Sequence, residues 1–319
     1  MLLSLLLLLL SLLLLTVGAE LLVRGSSTLA LRAGISPFVV GMTIVGFGTS
    51  APELAASVMA ALREVPEIAV GNVVGSNIAN VLLVLGVIAL VKPIPVEGRS
   101  VLRDILLLVG VSLLPYAALA TGGVLGRTMG VLFFAGLLLF LYRSWRSGRQ
   151  SPEEPPPASS DWRSAWWFNA LLAAAGIAVL VSSSALLVDS AVSLATSMGV
   201  SELVIGLTIV AVGTSMPELV TSLVAALRGR SDLGLGNIVG SGIFNILGIL
   251  GLTAAVHPIE IAPQVFRFDM PLMILAAVLL LPFAATGRRI SRVEGGILAA
   301  MFAAYLLALA TGVPGSLVG

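Results

Sequence analysis

Gly48-Thr49-Ser50-Ala51-Pro52-Glu53 and Gly213-Thr214-Ser215-Met216-Pro217-Glu218 are one motif written twice, 165 residues apart. Each copy lies inside a long apolar segment, GMTIVGFGTSAPELAASVMAAL or GLTIVAVGTSMPELVTSLVAAL. A carboxylate there loses its hydration. The neighbouring proline also removes a helical hydrogen bond. A chain that carries both costs twice, at a fixed offset, is expected to build one site from two halves.

The similarity runs well beyond the motif. GISPFVVGMTIVGFGTSAPEL lies over GVSELVIGLTIVAVGTSMPEL, and GNVVGSNIANVLLVLG (71–86) over GNIVGSGIFNILGILG (236–251), without a gap. Pro93 and Pro258, and Asp104 and Asp269, keep the same offset. Of the 319 residues 58% are hydrophobic and only 10% charged, far below the roughly 25% charge of soluble domains. Apolar runs near the ~20 residues that span hydrocarbon recur throughout. They lack the alternation of a transmembrane barrel. The expected fold is therefore all-α and integral to the membrane.

Ten spans are expected, at about 2–32, 37–62, 68–91, 101–120, 124–142, 166–198, 202–227, 233–255, 266–286 and 291–312. The first reads as a retained helix rather than a signal peptide, because no Lys or Arg precedes Arg24. A polar stretch rich in Pro and Ser, 143–164, joins a first five-helix repeat (1–142) to a second (165–319). Five is odd, so the second copy starts from the opposite face and the repeats are inverted, a recurrent transporter architecture. With the N-terminus outside, only Arg63, Arg127 and Arg267 of the 17 Lys and Arg fall outside. Both termini are then external and the central linker cytoplasmic, in a multi-pass protein of the cell's inner (plasma) membrane.

The chemistry follows from oxygen donors. Pro52 and Pro217 disturb the carbonyls of Gly48 and Thr49, and of Gly213 and Thr214. Irregular backbone at membrane depth is tolerated where it lines a polar cavity. Thr49 and Glu53, Thr214 and Glu218, Ser76 and Asn80, and Ser241 and Asn245 are each four apart and share a helix face. Gly75, Gly240, Asn72 and Asn237 read as helix packing instead. The donors are all hard oxygens, with no Cys in the chain, which suits Ca²⁺. Two glutamates balance one divalent cation. Without it they repel and favour protonation, so Na⁺ and H⁺ compete for the same oxygens. Ca²⁺ and Na⁺ are thus expected substrates, with the lipid bilayer as surroundings. No cofactor, nucleic acid or protein partner is indicated.

These residues identify the chain as a member of the cation/Ca²⁺ exchanger superfamily, and it is similar to its prokaryotic sodium/calcium exchangers. GTSAPE…GNVVGSNIAN and GTSMPE…GNIVGSGIFN match the family's two alpha-repeats over nearly the whole chain. The resemblance implies ten helices, ions held by the second, third, seventh and eighth, and alternating access by sliding of the long first and sixth. It implies a Ca²⁺ site made by the Glu53 and Glu218 carboxylates and the Thr49 and Thr214 carbonyls. Na⁺ sites would add Ser50, Ser76, Ser215 and Ser241 and the carbonyls of Gly46 and Ala211, with Asn80 and Asn245 at the centre. Some members carry Asp where this chain has Asn245, and Gly242 stands where the first repeat has Asn77. The implied activity is Na⁺/Ca²⁺ antiport. Ca²⁺/H⁺ or K⁺-dependent exchange is the alternative, and an intramembrane hydrolase using two acids a remote one.

Several other residues carry plainer expectations. Asp104 and Asp269 read as helix N-caps, His257 as interfacial, and Trp162, Trp166 and Trp167 as an aromatic belt. Glu20, Asp189 and Glu202 lie in or near the two long spans, within reach of water in an ion passage, and are not counted as site residues.

Overall fold

The computed structural model describes residues 2–62, 67–96, 99–148, 165–197, 211–285 and 287–311. Helix α1 spans Leu2–Ala33, α2 Pro37–Thr49 and α3 Ala51–Leu62. α4 covers 67–91, with a π-helical stretch at Ala79–Leu85. α5 covers Arg99–Leu113 and tightens into a 3₁₀ stretch, Leu114–Thr121. α6 (Arg127–Gly148), α7 (Trp166–Ser197), α8 (Ala211–Thr214) and α9 (Met216–Leu227) follow. α10 is Ser231–Val256, π-helical at Phe244–Leu250. α11 is Val265–Ala285, π-helical at Val265–Asp269, and α12 is Arg292–Ala310.

Eight helices among the described residues are long and apolar enough to cross a membrane; α2 and α9 are shorter. The protein is a multi-pass membrane protein. Two short antiparallel pairs join loops, which the periodicity did not announce. β1 (Ile94–Pro95) pairs with β4 (Arg289–Ile290), and β2 (Val124–Leu125) with β3 (Ile259–Glu260).

The chain forms two compact units, 1–49 with 141–240 and 50–140 with 241–319. In the first, α1 packs along α7 and α9. A Cβ on Gly25 would come 2.6 Å from the Asn169 carbonyl, and one on Gly176 2.5 Å from the Leu22 amide. Small residues let the two backbones meet, the usual packing device where lipid removes the hydrophobic drive between helices. Leu15, Leu22, Leu180, Ala225 and Leu233 are buried in this core. In the second unit α12 packs on α4, α11 on α5, and α3 on both α4 and the π stretch of α10.

Four expectations need correction. The span expected at 37–62 is two helices, broken at Ser50, rather than one kinked rod. A proline in the first turn of a new helix loses no hydrogen bond, so a break costs less than a kink. The linker expected from 143 begins later, because α6 continues through Arg143, Trp145 and Arg146 to Gly148. The span expected to begin at 124 starts at Arg127, since Val124 and Leu125 form β2. Neither Asp104 nor Asp269 is an N-cap. α5 and α11 already begin at Arg99 and Val265, and buried Asp269 accepts a hydrogen bond from Tyr305 Oη at 2.9 Å. Residues 202–210 of the seventh expected span, Trp162 and most of the linker lie outside the described residues.

The α1–α7 contact predicts a graded outcome. Gly176→Ala should lower stability by about 1–3 kcal/mol through overpacking. Gly110→Ala, on exposed helix with nothing within 4 Å of the new Cβ, should be neutral or stabilising. Thermal unfolding of the detergent-solubilised variants checks this; equal melting temperatures would contradict it.

Candidate functional site

The two motifs adopt the same local structure. A single turn residue, Ser50 or Ser215, separates two helices. Ser215 has φ −88° and ψ 4°, in the bridge region where many active-site residues sit. Pro52 and Pro217 are each the second residue of the new helix, and Glu53 and Glu218 the third. The new helices engage at once, by Leu54 N–H to the Ser50 carbonyl at 3.0 Å and Leu219 N–H to the Ser215 carbonyl at 3.1 Å. A carboxylate in a first turn is favoured by the helix dipole. Gly46 and Thr49 lie in the last turn of α2, and the C-terminal end of a helix attracts cations. One break therefore produces a cation-attracting helix end and a place for a carboxylate.

In the first unit, the end of α2 packs on α9, which carries Glu218. Thr49 is fully buried, and its Oγ1 lies 3.1 Å from both the Val45 carbonyl and Asn237 Oδ1, and 3.4 Å from the Gly46 carbonyl. Asn237 Nδ2 in turn donates to Ser222 Oγ at 2.9 Å. Glu218 is wholly buried, as is Ser215, whose Oγ has no hydrogen-bond partner among the described residues. Thr214 is half-buried, and Ala211 opens α8. Close packing holds this face together: a Cβ on Gly236 or Gly240 would meet the carbonyls of Phe38 or Met42 at 2.2 and 2.1 Å. That agrees with the packing reading of Gly240 and Asn237.

The second unit repeats the pattern with different partners. Asn72 Nδ2 donates to Ser57 Oγ at 3.0 Å and to the Glu53 carbonyl at 3.1 Å. Asn72 and Asn237, like Ser57 and Ser222, are 165 residues apart, so both halves brace the motif helix alike. Nothing among the described residues stands within 4 Å of a Cβ on Gly75; the counterpart of the segment facing Gly240, 203–207, lies outside them. Ser50, Glu53, Ser76, Asn80, Ser241 and Asn245 are all buried. α3, α4 and the π stretch of α10 pack together and carry four of these six, Glu53, Ser76, Asn80 and Asn245. Asn80 and Asn245 are each the second residue of a π-helical stretch, in α4 and in α10, a distortion common at functional sites.

Both side-chain atoms of Asn80, and Asn245 Oδ1, are buried with no hydrogen-bond partner among the described residues. Buried polar atoms are nearly always satisfied, which marks these as candidates for a functional role. The same holds for Thr221 Oγ1 and Thr253 Oγ1. Sequence reasoning missed both, although Thr221 follows Glu218 by three positions on one helix face. It also missed Ser57 and Ser222, which the 165-residue offset was sufficient to find. Among the described residues no three His, Cys, Asp or Glu side chains cluster, so a cation held here would draw its remaining ligands from neutral oxygens. Elsewhere, Glu20 pairs with Arg228 at 2.7 Å. His257 caps the end of α10, and Trp166 and Trp167 are exposed on α7.

Each half buries a glutamate in a helix first turn, with hydroxyl and amide oxygens near it in apolar spans, a donor set that suits hard cations in a membrane transporter. The family model of the sodium/calcium exchanger protein matches residues 3–146 and 168–311, and the chain belongs to that family. It is 43% identical to the putative antiporter CaxA of Alkalimonas amylolytica, over 90% of this chain and 92% of that one. It is 33% identical to the sodium/calcium exchanger MaX1 of Methanosarcina acetivorans, over 95% and 97%. A solved structure of the sodium-calcium exchanger NCX_Mj superposes with a TM-score of 0.82 at 31% identity, covering 97% of this chain and 98% of that one. The protein is a secondary transporter, an ion antiporter and not an enzyme. Its ions are substrates and it needs no cofactor.

The bracing network predicts that Asn237→Ala takes from Ser222 Oγ its amide donor, leaves Thr49 Oγ1 to the Val45 and Gly46 carbonyls, and costs about 1–3 kcal/mol. A lower melting temperature in detergent is the expected reading. An unchanged one would show that the network contributes nothing.

Proposed function

We propose that the chain exchanges Na⁺ for Ca²⁺ across the cell's inner membrane by alternating access. Glu53 and Glu218 supply the charge and the Thr49 and Thr214 carbonyls further Ca²⁺ ligands. Ser50, Ser76, Ser215 and Ser241, the carbonyls of Gly46 and Ala211, and the amides of Asn80 and Asn245 take part in holding Na⁺ or water. The observation that carries this reading is the burial of two carboxylates, Glu53 at 1% and Glu218 at 0% exposure, in a chain with so few charges. Buried carboxylates persist only with compensation, and either a Ca²⁺ or a set of Na⁺ supplies it. The names of the Methanosarcina exchanger and of NCX_Mj favour Na⁺ as the counter-ion.

Ten spans in two inverted repeats, 1–142 and 165–319, account for the duplicated motif. The Lys and Arg asymmetry favours external termini and a cytoplasmic linker. The Escherichia coli relative, 37% identical over 88% of this chain, is named an inner membrane protein. The family resemblance implies three Na⁺ for one Ca²⁺. The cycle then moves one net charge, worth about 2.3 kcal/mol per 100 mV.

Purified protein in Na⁺-loaded proteoliposomes, diluted into Na⁺-free buffer with Ca²⁺, should take up Ca²⁺ only with the outward Na⁺ gradient. An interior-negative potential should slow uptake, because each cycle exports positive charge. Glu53→Gln and Glu218→Gln should each abolish uptake while eluting as folded protein. An Arg149→Cys label, in a chain without other cysteines, reports orientation in cells; reaction with an impermeant reagent from outside would invert the topology. Uptake driven by a pH gradient alone, with Na⁺ without effect, would replace Na⁺ with H⁺ as the coupled ion.

A further inference from the structure

The two central asparagines are related by the repeat, yet the structure treats them differently. The difference starts at Asn77, whose repeat counterpart is Gly242. Asn77 is 3% exposed. Its Nδ2 donates to the Gly242 carbonyl at 3.3 Å and lies 3.7 Å from Met273 Sδ. A carbonyl oxygen and a thioether sulfur can only accept. The nitrogen of Asn77 must face them, and its Oδ1 is left on the other side. Oδ1 accepts from Asn245 Nδ2 at 3.0 Å. The amide of Asn245 is thereby fixed in turn, because a flip would set its oxygen against another oxygen. Its own Oδ1 is turned away from Asn77, buried and with no hydrogen-bond partner among the described residues.

Asn80 has no such anchor. The position that would orient it is Gly242, which has no side chain, and neither end of the Asn80 amide has a hydrogen-bond partner among the described residues. One amide is locked and the other is not, and every contact in the chain of bonds lies within a single compact unit.

We propose that Asn77 is a positioning residue that holds Asn245 with its amide oxygen permanently offered to the transported cation. This rests on the proposed cation site and deepens it. A locked oxygen is preorganised: no ordering cost falls due when the ion arrives. Asn80, without an anchor among the described residues, serves as acceptor or donor as the load requires. The lock lets a neutral amide do at this position what a carboxylate would do there. A carboxylate has two equivalent oxygens and needs no orientation. An amide offers an acceptor only if something fixes which end faces inward.

A double-mutant cycle read by equilibrium ⁴⁵Ca²⁺ binding to the purified full chain tests this. Binding by the unaltered protein tests the cation site itself, whatever the counter-ion, and its absence would defeat that reading rather than the lock. Given binding, Asn77→Ala should weaken it by about three- to tenfold, the worth of one oriented hydrogen-bonding group. In an Asn245→Asp background the same Asn77→Ala change should cost nothing or strengthen binding, since it removes an oxygen facing a carboxylate. Asn77→Asp, held neutral in this buried position with its O–H donating to the Gly242 carbonyl, keeps the acceptor for Asn245 Nδ2 and should bind more tightly than Asn77→Ala. An equal loss in both backgrounds would reduce Asn77 to a packing role. No loss with Asn245 present, or no recovery with Asn77→Asp, would equally overturn the proposal, and the last comparison holds even if Asn245→Asp binds nothing.

Discussion

Burial of two carboxylates in a lipid-embedded chain is the constraint on which the remainder of the molecule depends. An ionised carboxylate cannot remain in an apolar interior without a counter-charge or a proton. Glu53 and Glu218 are among the most buried residues of the protein. The surrounding chain supplies oxygens, hydroxyls and amides but no cluster of further acids among the described residues. In the proposed reading the transported cation supplies that counter-charge.

The helix breaks at Ser50 and Ser215 solve a second problem with the same residues. An unbroken helix keeps its carbonyls for itself. Interrupting it by one residue exposes a carbonyl end and starts a new first turn, where both proline and glutamate are at home. The motif Thr-Ser-x-Pro-Glu thus encodes a helix end, a turn and a helix start. The asparagines at 72 and 237 then hold the broken helix by side-chain bonds to Ser57 and Ser222, bonds that an unbroken helix has less need of.

Much of this was legible in the residues. The repeat, the long apolar spans and the pairing of Glu with Pro follow from pattern and composition, and the family resemblance rests on the same motifs. Other features were not. The π-helical stretches at Ala79–Leu85 and Phe244–Leu250 leave no mark in periodicity, because they displace a single hydrogen-bond register within a wholly apolar run. Asp104 and Asp269 resemble caps beside charged loops, yet the helices begin earlier and Asp269 satisfies itself on Tyr305. The extension of α6 to Gly148 was hidden by its Arg and Ser content, which reads as loop although nothing in it breaks a helix. The asymmetry of Asn77 and Gly242 was visible as a mismatch, but its consequence depends on which atoms face a carbonyl.

In the proposed mechanism Ca²⁺ and Na⁺ satisfy one shared set of buried oxygens. Equilibrium binding of ⁴⁵Ca²⁺ to the detergent-purified protein, titrated with Na⁺ against N-methyl-D-glucamine at equal ionic strength, tests it most directly. Na⁺ should displace bound Ca²⁺ steeply, with more than one Na⁺ per Ca²⁺ released, and the bulky organic cation should not. Ca²⁺ that stays bound as Na⁺ rises, or that both cations release alike, would contradict it.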